Sequence, residues 1–346
     1  MSQILKAKTV QESIKLLKND SPQSLKYNAE TGTSAIWSDG KNHCLSCLNC
    51  MNPRCMNLSV EEVDSPKFKD ISQDMNRRIC PVDALAVGKH EIKINPDKCI
   101  GCGLCARRCP IGAIYIKDGK AQLQEGDKST YITVPVTEEN IVIHTKQIDK
   151  FISVKREGVL CIEDDKKIES LCKKISKMSQ EEQNILARNL LIELGNKATL
   201  TRKGNVYTRM DGFIDTIKHF GVVEVETGAD MLDVSRAILD DVAIANVRYQ
   251  VKQTENHPLA VVLGLPNKRT DYWQVLKDIK NVIGLKISTI TFGALLILMW
   301  NFKSVDDFDR FYIDVDNSSI RKEIEKIIGR RARISSGTEG TLENSK

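Results

Sequence analysis

The sequence of 346 residues predicts an α+β domain built around cysteine motifs, followed by an α/β domain with a mixed sheet. Nine of the eleven cysteines lie between Cys44 and Cys109, which separates the first domain from the rest of the chain. From Met178 onward the pattern becomes an order of helix, short strands, helix, strand, helix and strand. The length and an apolar content of 41% favour two or three domains with separate cores.

The last four of the clustered cysteines have the spacing of an iron–sulfur site. Residues 99–110 read CIGCGLCARRCP, which is the pattern C-x2-C-x2-C-x3-C-P. In that pattern three thiolates bind one 4Fe–4S cluster, and the fourth cysteine usually binds a second cluster. The segment CPVDAL at 80–85 repeats CPIGAI at 109–114, which indicates an internal repeat.

These motifs resemble the two-cluster ferredoxins, and the resemblance implies two 4Fe–4S clusters with crossed sets of ligands. One cluster takes Cys99, Cys102, Cys105 and Cys80. The other takes Cys109 together with three cysteines from the segment 44–55. The second domain and its own chemistry lie outside this resemblance.

Four cysteines compete for those three places. The set Cys44, Cys47 and Cys50 copies the downstream motif. The set Cys47, Cys50 and Cys55 has the pattern C-x2-C-x2-P-x-C and is similar to the ferredoxin-like subunits of molybdenum oxidoreductases. We favour this second set, with Cys44 as the alternative ligand, because Pro53 would end a helix after Cys50. Under either assignment 24 to 29 residues separate the last of the three cysteines from Cys80. This insertion departs from the short spacing of both families.

Other uses of these cysteines fit less well. Zinc sites rarely contain a C-x2-C-x2-C run followed by C-P. The polar N-terminal 20 residues read as an amphipathic helix and not as a signal peptide, so a cytoplasmic location without disulfides is expected. Cys161 lies in an apolar run and Cys172 in a helix-like stretch, and we expect neither to bind a cluster.

Charge and hydropathy exclude two further classes of protein. The net charge is +5, divided as +3 over residues 1–150 and +2 over the remainder, so neither half has the basic excess of a dedicated nucleic-acid binder. The apolar run Ile287–Trp300 is shorter than the ~20 residues of a membrane span, and it predicts a buried strand followed by a buried helix. No membrane partner is expected.

The predicted organisation has five parts. They are an N-terminal helical extension at 1–40, a two-cluster domain at 41–125, a linker module with short strands such as TYITVPV and NIVIHT at 126–177, the α/β domain at 178–333 and a disordered tail at 334–346. In the α/β domain, Ser179 caps a helix that ends at Gly195. The strands KATLTRKG, NVYTRMDGFIDTIK and GVVEVETG follow, then a helix at 230–250, the strand PLAVVLGLP, a helix from Asp271 to Val282 and the strand LKISTITF.

Two strands of the α/β domain carry acidic residues on one face. Glu224 and Glu226 alternate with valines, and Asp211 precedes Phe213 and Asp215 on the strand before. Packing does not require two carboxylates on one face, and adjacent carboxylates repel each other unless a cation neutralises them. Mg²⁺ binds through one or two carboxylates and retains water for chemistry.

This order of elements, with an acid on one strand and Glu224-Val-Glu226 on the next, resembles the PD-(D/E)XK restriction-endonuclease-like superfamily, which usually carries E-x-K on the latter strand, over roughly residues 178–300. The resemblance implies a DNA endonuclease dependent on Mg²⁺ (or Mn²⁺), with Asp211 and Glu224 as cation ligands. Glu226 takes the usual place of the lysine and is assigned the role of general base or further ligand. Asp215 is a substitute for Asp211, and Glu182 or Glu193 on the preceding helix is a candidate second carboxylate.

Three functions are consistent with these patterns. The first is a cation-dependent endonuclease of a restriction or defence system, with DNA and other subunits of that system as partners. The second is an electron carrier with a redox partner and a docking domain, and the third is a non-cutting nucleic-acid-binding module. The basic residues that could meet phosphates are Arg202, Lys203, Arg209, Arg330, Arg331 and Arg333.

Overall fold

A computed structural model describes residues 56–87, 92–108, 114–123, 162–204, 209–228, 231–317, 319–334 and 340–344, together with four strands outside these ranges. The α-helices of these parts are α1 (Val60–Val63), α2 (Leu104–Arg108), α3 (Ile168–Ile175), α4 (Gln180–Glu193), α5 (Met231–Tyr249), α6 (Asp271–Ile283), α7 (Phe292–Trp300) and α8 (Arg321–Ile328). Short 3-10 helices occur at Pro66–Phe68, Ile162–Lys167, Gln253–Glu255 and Asp309–Phe311.

The strands form four sheets. In chain order they are β1 (Gln3–Lys6), β2 (Ser24–Asn28), β3 (Thr33–Trp37), β4 (Leu85–Val87), β5 (Ile92–Ile94), β6 (Ile114–Lys117), β7 (Lys120–Leu123), β8 (Thr130–Pro135), β9 (Lys197–Leu200), β10 (Gly212–Asp215), β11 (Phe220–Glu226), β12 (Leu259–Val262) and β13 (Ser288–Thr291). The chain divides into two compact units, 1–57 with 78–162 and 58–77 with 163–346.

The first unit contains two hairpins and a four-stranded sheet. The hairpins are β4–β5 and β6–β7, and the sheet has the order β1-β8-β3-β2. The predicted strand TYITVPV corresponds to β8, whereas NIVIHT lies outside the described residues. The prediction of a helical extension at 1–40 is wrong at β1, β2 and β3, and its other residues lie outside the described part of the chain. The adjacent apolar residues Ile4 and Leu5 are compatible with the periodicity of a helix or of a strand. Pairing with β8 makes this segment the strand β1.

The second unit is built on a five-stranded mixed sheet of order β13-β12-β11-β10-β9. Strands β9, β10 and β11 are antiparallel neighbours, whereas β11, β12 and β13 run parallel. All four residues of β12 are buried, as expected for a central parallel strand. The observed order of helices and strands therefore confirms the mixed sheet that the sequence predicts.

Helices on this sheet begin and end where the sequence predicts. Ser179 and Glu182 form a capping box at the start of α4, and Gly195 follows its end with a φ of +94°. Helix α4 packs on β9, β10 and β11, whereas α5 packs on β11 and on α6. The run Ile287–Trp300 forms β13 and the fully buried α7, as predicted. No helix in the described ranges has both the length and the apolar content of a membrane span.

The long segment that precedes Cys80 belongs to the second unit, although the sequence places it within the cluster domain. Gln73 forms an antiparallel bridge with Thr201, and the amide of Asp74 donates to the carbonyl of Leu200 over 2.8 Å. Residues 72–74 of this segment therefore pair with the chain at the end of β9, on the edge of the sheet. An edge strand left open exposes unpaired backbone groups, so this segment protects the edge of the sheet.

The prediction of a disordered tail is wrong for residues 340–344. The Thr341 carbonyl accepts a hydrogen bond of 2.6 Å from the Thr291 hydroxyl, and the amide of Ile320 donates to the carbonyl of Leu342 over 2.9 Å. Both Thr341 and Leu342 are only 2% exposed. A small and polar composition suggests disorder, but here the backbone of the tail satisfies buried polar groups at the start of α7.

Candidate functional site

Four of the predicted cluster ligands line one cavity of the first unit. They are Cys80, Cys99, Cys102 and Cys105. Cys99 precedes the turn that leads into α2, Cys105 lies on that helix, and Cys80 precedes the β4–β5 hairpin. The rest of the wall is mainly apolar and includes Leu85, Ile94 and Ile116. This grouping matches the ligand set that crossed ligation implies for one cluster.

The backbone around this cavity provides hydrogen bonds for sulfur. The amide of Ala84 donates to Sγ of Cys80 over 3.1 Å, and the amide of Ala121 donates to Sγ of Cys99 over 3.3 Å. Gly101 has a φ of +84°, and a Cβ atom there would lie 2.1 Å from the carbonyl oxygen of Gly119. Only glycine fits at this position of the loop. The cavity therefore fits a thiolate-bound cluster in both its donors and its backbone.

Two of the thiols of this cavity, those of Cys80 and Cys102, ionise less readily than free cysteine. Burial raises the pKa of Cys102 to about 12, with the nearby Cys80 as a smaller cause. Burial also raises the pKa of Cys80, against the opposing effect of hydrogen bonds from the backbone at Ala84 and Val82. Iron binding would supply the positive charge that keeps such buried thiolates ionised. The other predicted ligands, Cys44, Cys47, Cys50, Cys55 and Cys109, lie outside the described residues.

In the second unit, Asp211 lies where three elements meet. Its Oδ2 accepts a hydrogen bond of 2.9 Å from the amide of Val225, and its Oδ1 accepts one of 2.5 Å from Nδ2 of Asn184. The residue immediately precedes β10, Val225 lies on β11 and Asn184 lies on α4. Burial raises the pKa of Asp211 to about 6, in spite of both hydrogen bonds. Ionisation of Asp211 is therefore unfavourable in this site, although two hydrogen bonds favour its carboxylate.

A second acidic pair lies beside Asp211. Glu224 on β11 and Asp241 on α5 lie close enough to hydrogen-bond to each other when one of the two acids is protonated. Burial, followed by the charge of Asp211, raises the pKa of Glu224 to about 9. Burial likewise raises the pKa of Asp241 to about 7. Two enclosed oxygens, Oε2 of Glu224 and Oδ2 of Asp241, have no hydrogen-bond partner among the described residues.

An open cavity leads to Asp211. Basic residues line it beside the acid, namely Arg202, Lys203 and Arg209. Lys203 is paired with Glu181 at 2.5 Å, whereas the charge of Arg209 lowers the pKa of the buried Asp241 and so opposes part of the effect of burial. The wall of this cavity therefore combines these basic side chains with the acids Asp74, Glu181 and Asp211, and such a combination suits an anionic ligand with a cation bound beside Asp211.

The other acids predicted for this site have different positions. Glu226 accepts a hydrogen bond from the amide of Gly228 and is close enough for its charge to raise the pKa of Asp211. Asp215 instead pairs with Lys67 at 2.8 Å and accepts a hydrogen bond of 2.5 Å from Ser65. Glu182 accepts a hydrogen bond from the amide of Ser179 at the start of α4. Asp215 and Glu182 therefore stabilise the fold outside the acidic site.

Arg330, which the sequence suggested as a phosphate contact, instead forms an ion pair within the fold. Its guanidinium contacts both carboxylate oxygens of Asp165, at 2.6 and 3.1 Å, and Asp165 is 2% exposed. The amide of Arg333 donates to the same carboxylate over 3.0 Å. This buried pair joins the end of the chain to the segment that precedes α3. Arg330 is therefore held by Asp165, whereas Arg202 and Arg209 line the open cavity.

Sequence reasoning missed Asp241 and Asn184. Asp241 follows Ile238 by three residues and precedes Ala245 by four, and both neighbours are fully buried. A carboxylate within the buried stripe of a helix was the signal that could have revealed it. Asn184 lies on the predicted helix α4, but nothing in its spacing indicates a contact with Asp211.

Comparison with known proteins identifies the cysteine-rich region. The family described as 4Fe–4S binding domain matches residues 92–115. An uncharacterised ferredoxin of Methanocaldococcus jannaschii is 30% identical over 131 residues, which cover 34% of this chain and 86% of that protein. A second uncharacterised ferredoxin of the same organism is 33% identical over 98 residues, which cover 25% of this chain and 58% of the relative.

A comparison of folds yields the restriction endonuclease FokI. The match has a TM-score of 0.31 and a sequence identity of 14%. It covers 55% of this chain and 35% of the endonuclease. The structure of FokI bound to DNA compares with a TM-score of 0.28 and an identity of 15%.

Proposed function

Because this chain belongs to the ferredoxins and binds an iron–sulfur cluster, we propose that it joins a two-cluster electron-transfer domain to a nuclease. The second unit, in this proposal, is restriction-endonuclease-like and hydrolyses phosphodiester bonds of DNA with Mg²⁺ or Mn²⁺. The observation that carries the proposal is the group of partly buried and buried acids Asp211, Glu224 and Asp241, with Asp211 on the wall of a cavity that Arg202, Lys203 and Arg209 also line.

The acids are proposed to hold a cation because their surroundings do not neutralise them fully. Burial makes ionisation of Glu224 and Asp241 unfavourable, and each has one enclosed oxygen without a donor among the described residues. A structural role would normally satisfy such atoms with hydrogen bonds. In the described part of the chain, the ligand atoms of these three acids do not all lie within 4.8 Å of one another. A cation here would therefore bind one or two acids and retain water.

Each residue has a proposed role in hydrolysis. The cation would stabilise negative charge on the phosphate and lower the pKa of a bound water. Asp211 and Glu224 hold the cation, and Asn184 orients Asp211. Glu226 accepts the proton of the attacking water, since it adjoins Asp211 and is more exposed than the valines beside it. Arg202 and Arg209 contact phosphates on either side of the bond that breaks.

A second candidate function is electron transfer alone. It is favoured by the membership of the ferredoxin family and by the amide hydrogen bonds to Sγ of Cys80 and Cys99, which tune cluster potentials in iron–sulfur proteins. In that case the second unit docks a redox partner. The acidic group near Asp211 then has no part in chemistry.

The two functions are separated by one assay. The protein is purified anaerobically and incubated with supercoiled and linear DNA, with Mg²⁺ or Mn²⁺ and with chelator. We expect cleavage that requires the cation and is lost in Glu224→Ala. Asp215→Asn is the matched control, because Asp215 lies on the strand next to Asp211 but pairs with Lys67.

Failure of the wild-type protein to cut any DNA under these conditions would reject the nuclease. Reversible reduction of the clusters in the same preparation would then support the electron carrier. Equal cleavage by the wild type and Glu224→Ala would also reject the proposed site, even if a nuclease activity is present.

A further inference from the structure

Two histidines and two aspartates converge at the end of the sheet where β11 begins. His219 closes the turn that connects β10 to β11, and His257 precedes β12. Asp307 and Asp309 lie at the start of the 3-10 helix that follows α7. None of these residues takes part in the cysteine cavity or in the acidic site around Asp211.

The backbone holds these side chains in place. The amide of His219 donates to the hydroxyl of Thr216 over 2.8 Å, and the amide of His257 donates to the carbonyl of Phe220 over 2.8 Å. The amide of Asp309 donates to Oδ1 of Asp307 over 3.0 Å. The segments of His219 and His257 are therefore joined through the backbone, and the turn that carries Asp307 and Asp309 is ordered by its own hydrogen bond. Such preorganisation lowers the entropic cost of binding a ligand.

The side chains present ligand atoms at short range. The imidazole rings of His219 and His257 are stacked with centroids 3.7 Å apart. Nδ1 of His257 lies 2.7 Å from Oδ1 of Asp309, and Nε2 of His219 lies 3.5 Å from Oδ1 of Asp307. One ligand atom each from His219, His257 and Asp309 lies within 4.8 Å of the other two.

Charge and exposure at this point suit a divalent ion. Lys218 approaches Asp306 and Asp307, and Lys286 approaches Asp309 at 3.9 Å. With neutral imidazoles, the three aspartates and two lysines leave a local charge of −1. The side chains of His219 and His257 are each 24% exposed, and that of Asp309 is 20% exposed, so solvent reaches the group.

We propose that His219, His257 and Asp309 bind a divalent transition metal of the Zn²⁺ class, independent of the clusters and of the acidic site. Imidazole and carboxylate are ligands that Zn²⁺ accepts, and three protein ligands leave one position for water. Asp307 orients His219 as an outer-shell carboxylate. The metal connects the segment 306–311 to the strands β11 and β12.

The test uses the full-length protein with its clusters intact, prepared anaerobically and freed of loose metal with a mild chelator. ZnCl2 is titrated in, and bound zinc is measured by elemental analysis and by zinc K-edge absorption, to which iron does not contribute. We expect about one tightly held zinc with imidazole nitrogen and oxygen at ~2.0–2.1 Å and no sulfur. The double variant H219Q/H257Q should bind zinc at least about tenfold more weakly.

Two controls locate the metal. Asp306→Asn alters the same segment outside the trio and should retain the zinc. Glu224→Gln alters the acidic site and should leave the imidazole signal unchanged, which separates this inference from the proposed nuclease. Zinc bound through sulfur, zinc without imidazole in the wild type, no retained zinc, or equal affinity in the double variant would each overturn the proposal. The wild-type spectrum decides the question even if the double variant fails to fold.

Discussion

Glu224 on β11 and Asp241 on α5 lie within hydrogen-bond reach of each other, so that a single proton between the two acids can join a strand to a helix. Asp241 is only 2% exposed, and Asp211 adds a third negative group to the same site. The arrangement is costly without a cation, because burial opposes the ionisation of all three acids.

This arrangement predicts how stability depends on pH when divalent cations are removed by a chelator. The Glu224 carboxyl ionises near its ordinary pKa of 4.5 when unfolded, whereas folding raises its pKa to about 9. Between these values the folded protein binds more protons than the unfolded chain, so the free energy of unfolding decreases as the pH rises. Over this pH interval the free energy of unfolding of the wild type should fall by at least about 1.4 kcal/mol more than that of Glu224→Gln. This difference is the equivalent of one pKa unit. Chemical unfolding at a series of pH values measures this, and parallel profiles for both proteins would contradict it.

Asp241 is expected to contribute to DNA cleavage without contacting DNA. The variant Asp241→Asn replaces the carboxylate beside Glu224 by a neutral amide and should lower the cleavage rate about 10- to 100-fold, the usual effect of changing an outer-shell partner. Asp240→Asn is the matched control, since Asp240 is the exposed neighbour on the same helix. Cleavage rates are measured at saturating Mn²⁺ on one DNA substrate. An equal loss in both variants would indicate a general effect on the helix.

The cluster assignment predicts a stepwise change in iron content. Two clusters correspond to about eight irons per chain, and Cys102→Ser should leave about four, because one cluster loses a ligand. Cys172→Ser is the control, since burial raises the pKa of that thiol to about 11 and it lies on α3, away from the cysteine motifs. Iron and sulfide analysis of anaerobically purified protein measures the change. A wild-type content of about four irons would refute the second cluster.

The segment 58–77 is predicted to stabilise the second unit. Phe68 is fully buried, and its ring centroid lies 5.9 Å from that of Phe220 on β11. Replacement by alanine should lower the free energy of unfolding by about 3–5 kcal/mol. Met75 in the same segment is 81% exposed, so Met75→Ala should change it by less than about 0.5 kcal/mol. Unfolding followed by far-UV circular dichroism tests both values, and similar losses in the two variants would argue against the assigned packing.

Much of the second unit is predictable because its signals are local. The capping box of Ser179 and Glu182, the alternation of valine and glutamate in β11 and the apolar run of β13 and α7 each depend on a few neighbouring residues. Spacing likewise indicates Cys99, Cys102 and Cys105 of the described cavity, whereas the resemblance to the two-cluster ferredoxins implies Cys80 as their partner. The strands β1, β2 and β3 and the residues 340–344 were harder to predict, because such short stretches take their structure from partners elsewhere in the chain.

Residue types and spacing were sufficient to determine the iron–sulfur family and the succession of helices and strands, because thiolate spacing and apolar periodicity are properties of neighbouring residues. Tertiary structure decided which acids belong together. It separated Asp215, which pairs with Lys67, from Asp211, and it brought Asp241 from a helix to Glu224 on a strand. It also assigned the segment before Cys80 to the second unit. The physical reason is that long-range contacts depend on how helices and strands pack. The local sequence pattern does not specify which side chains come into contact.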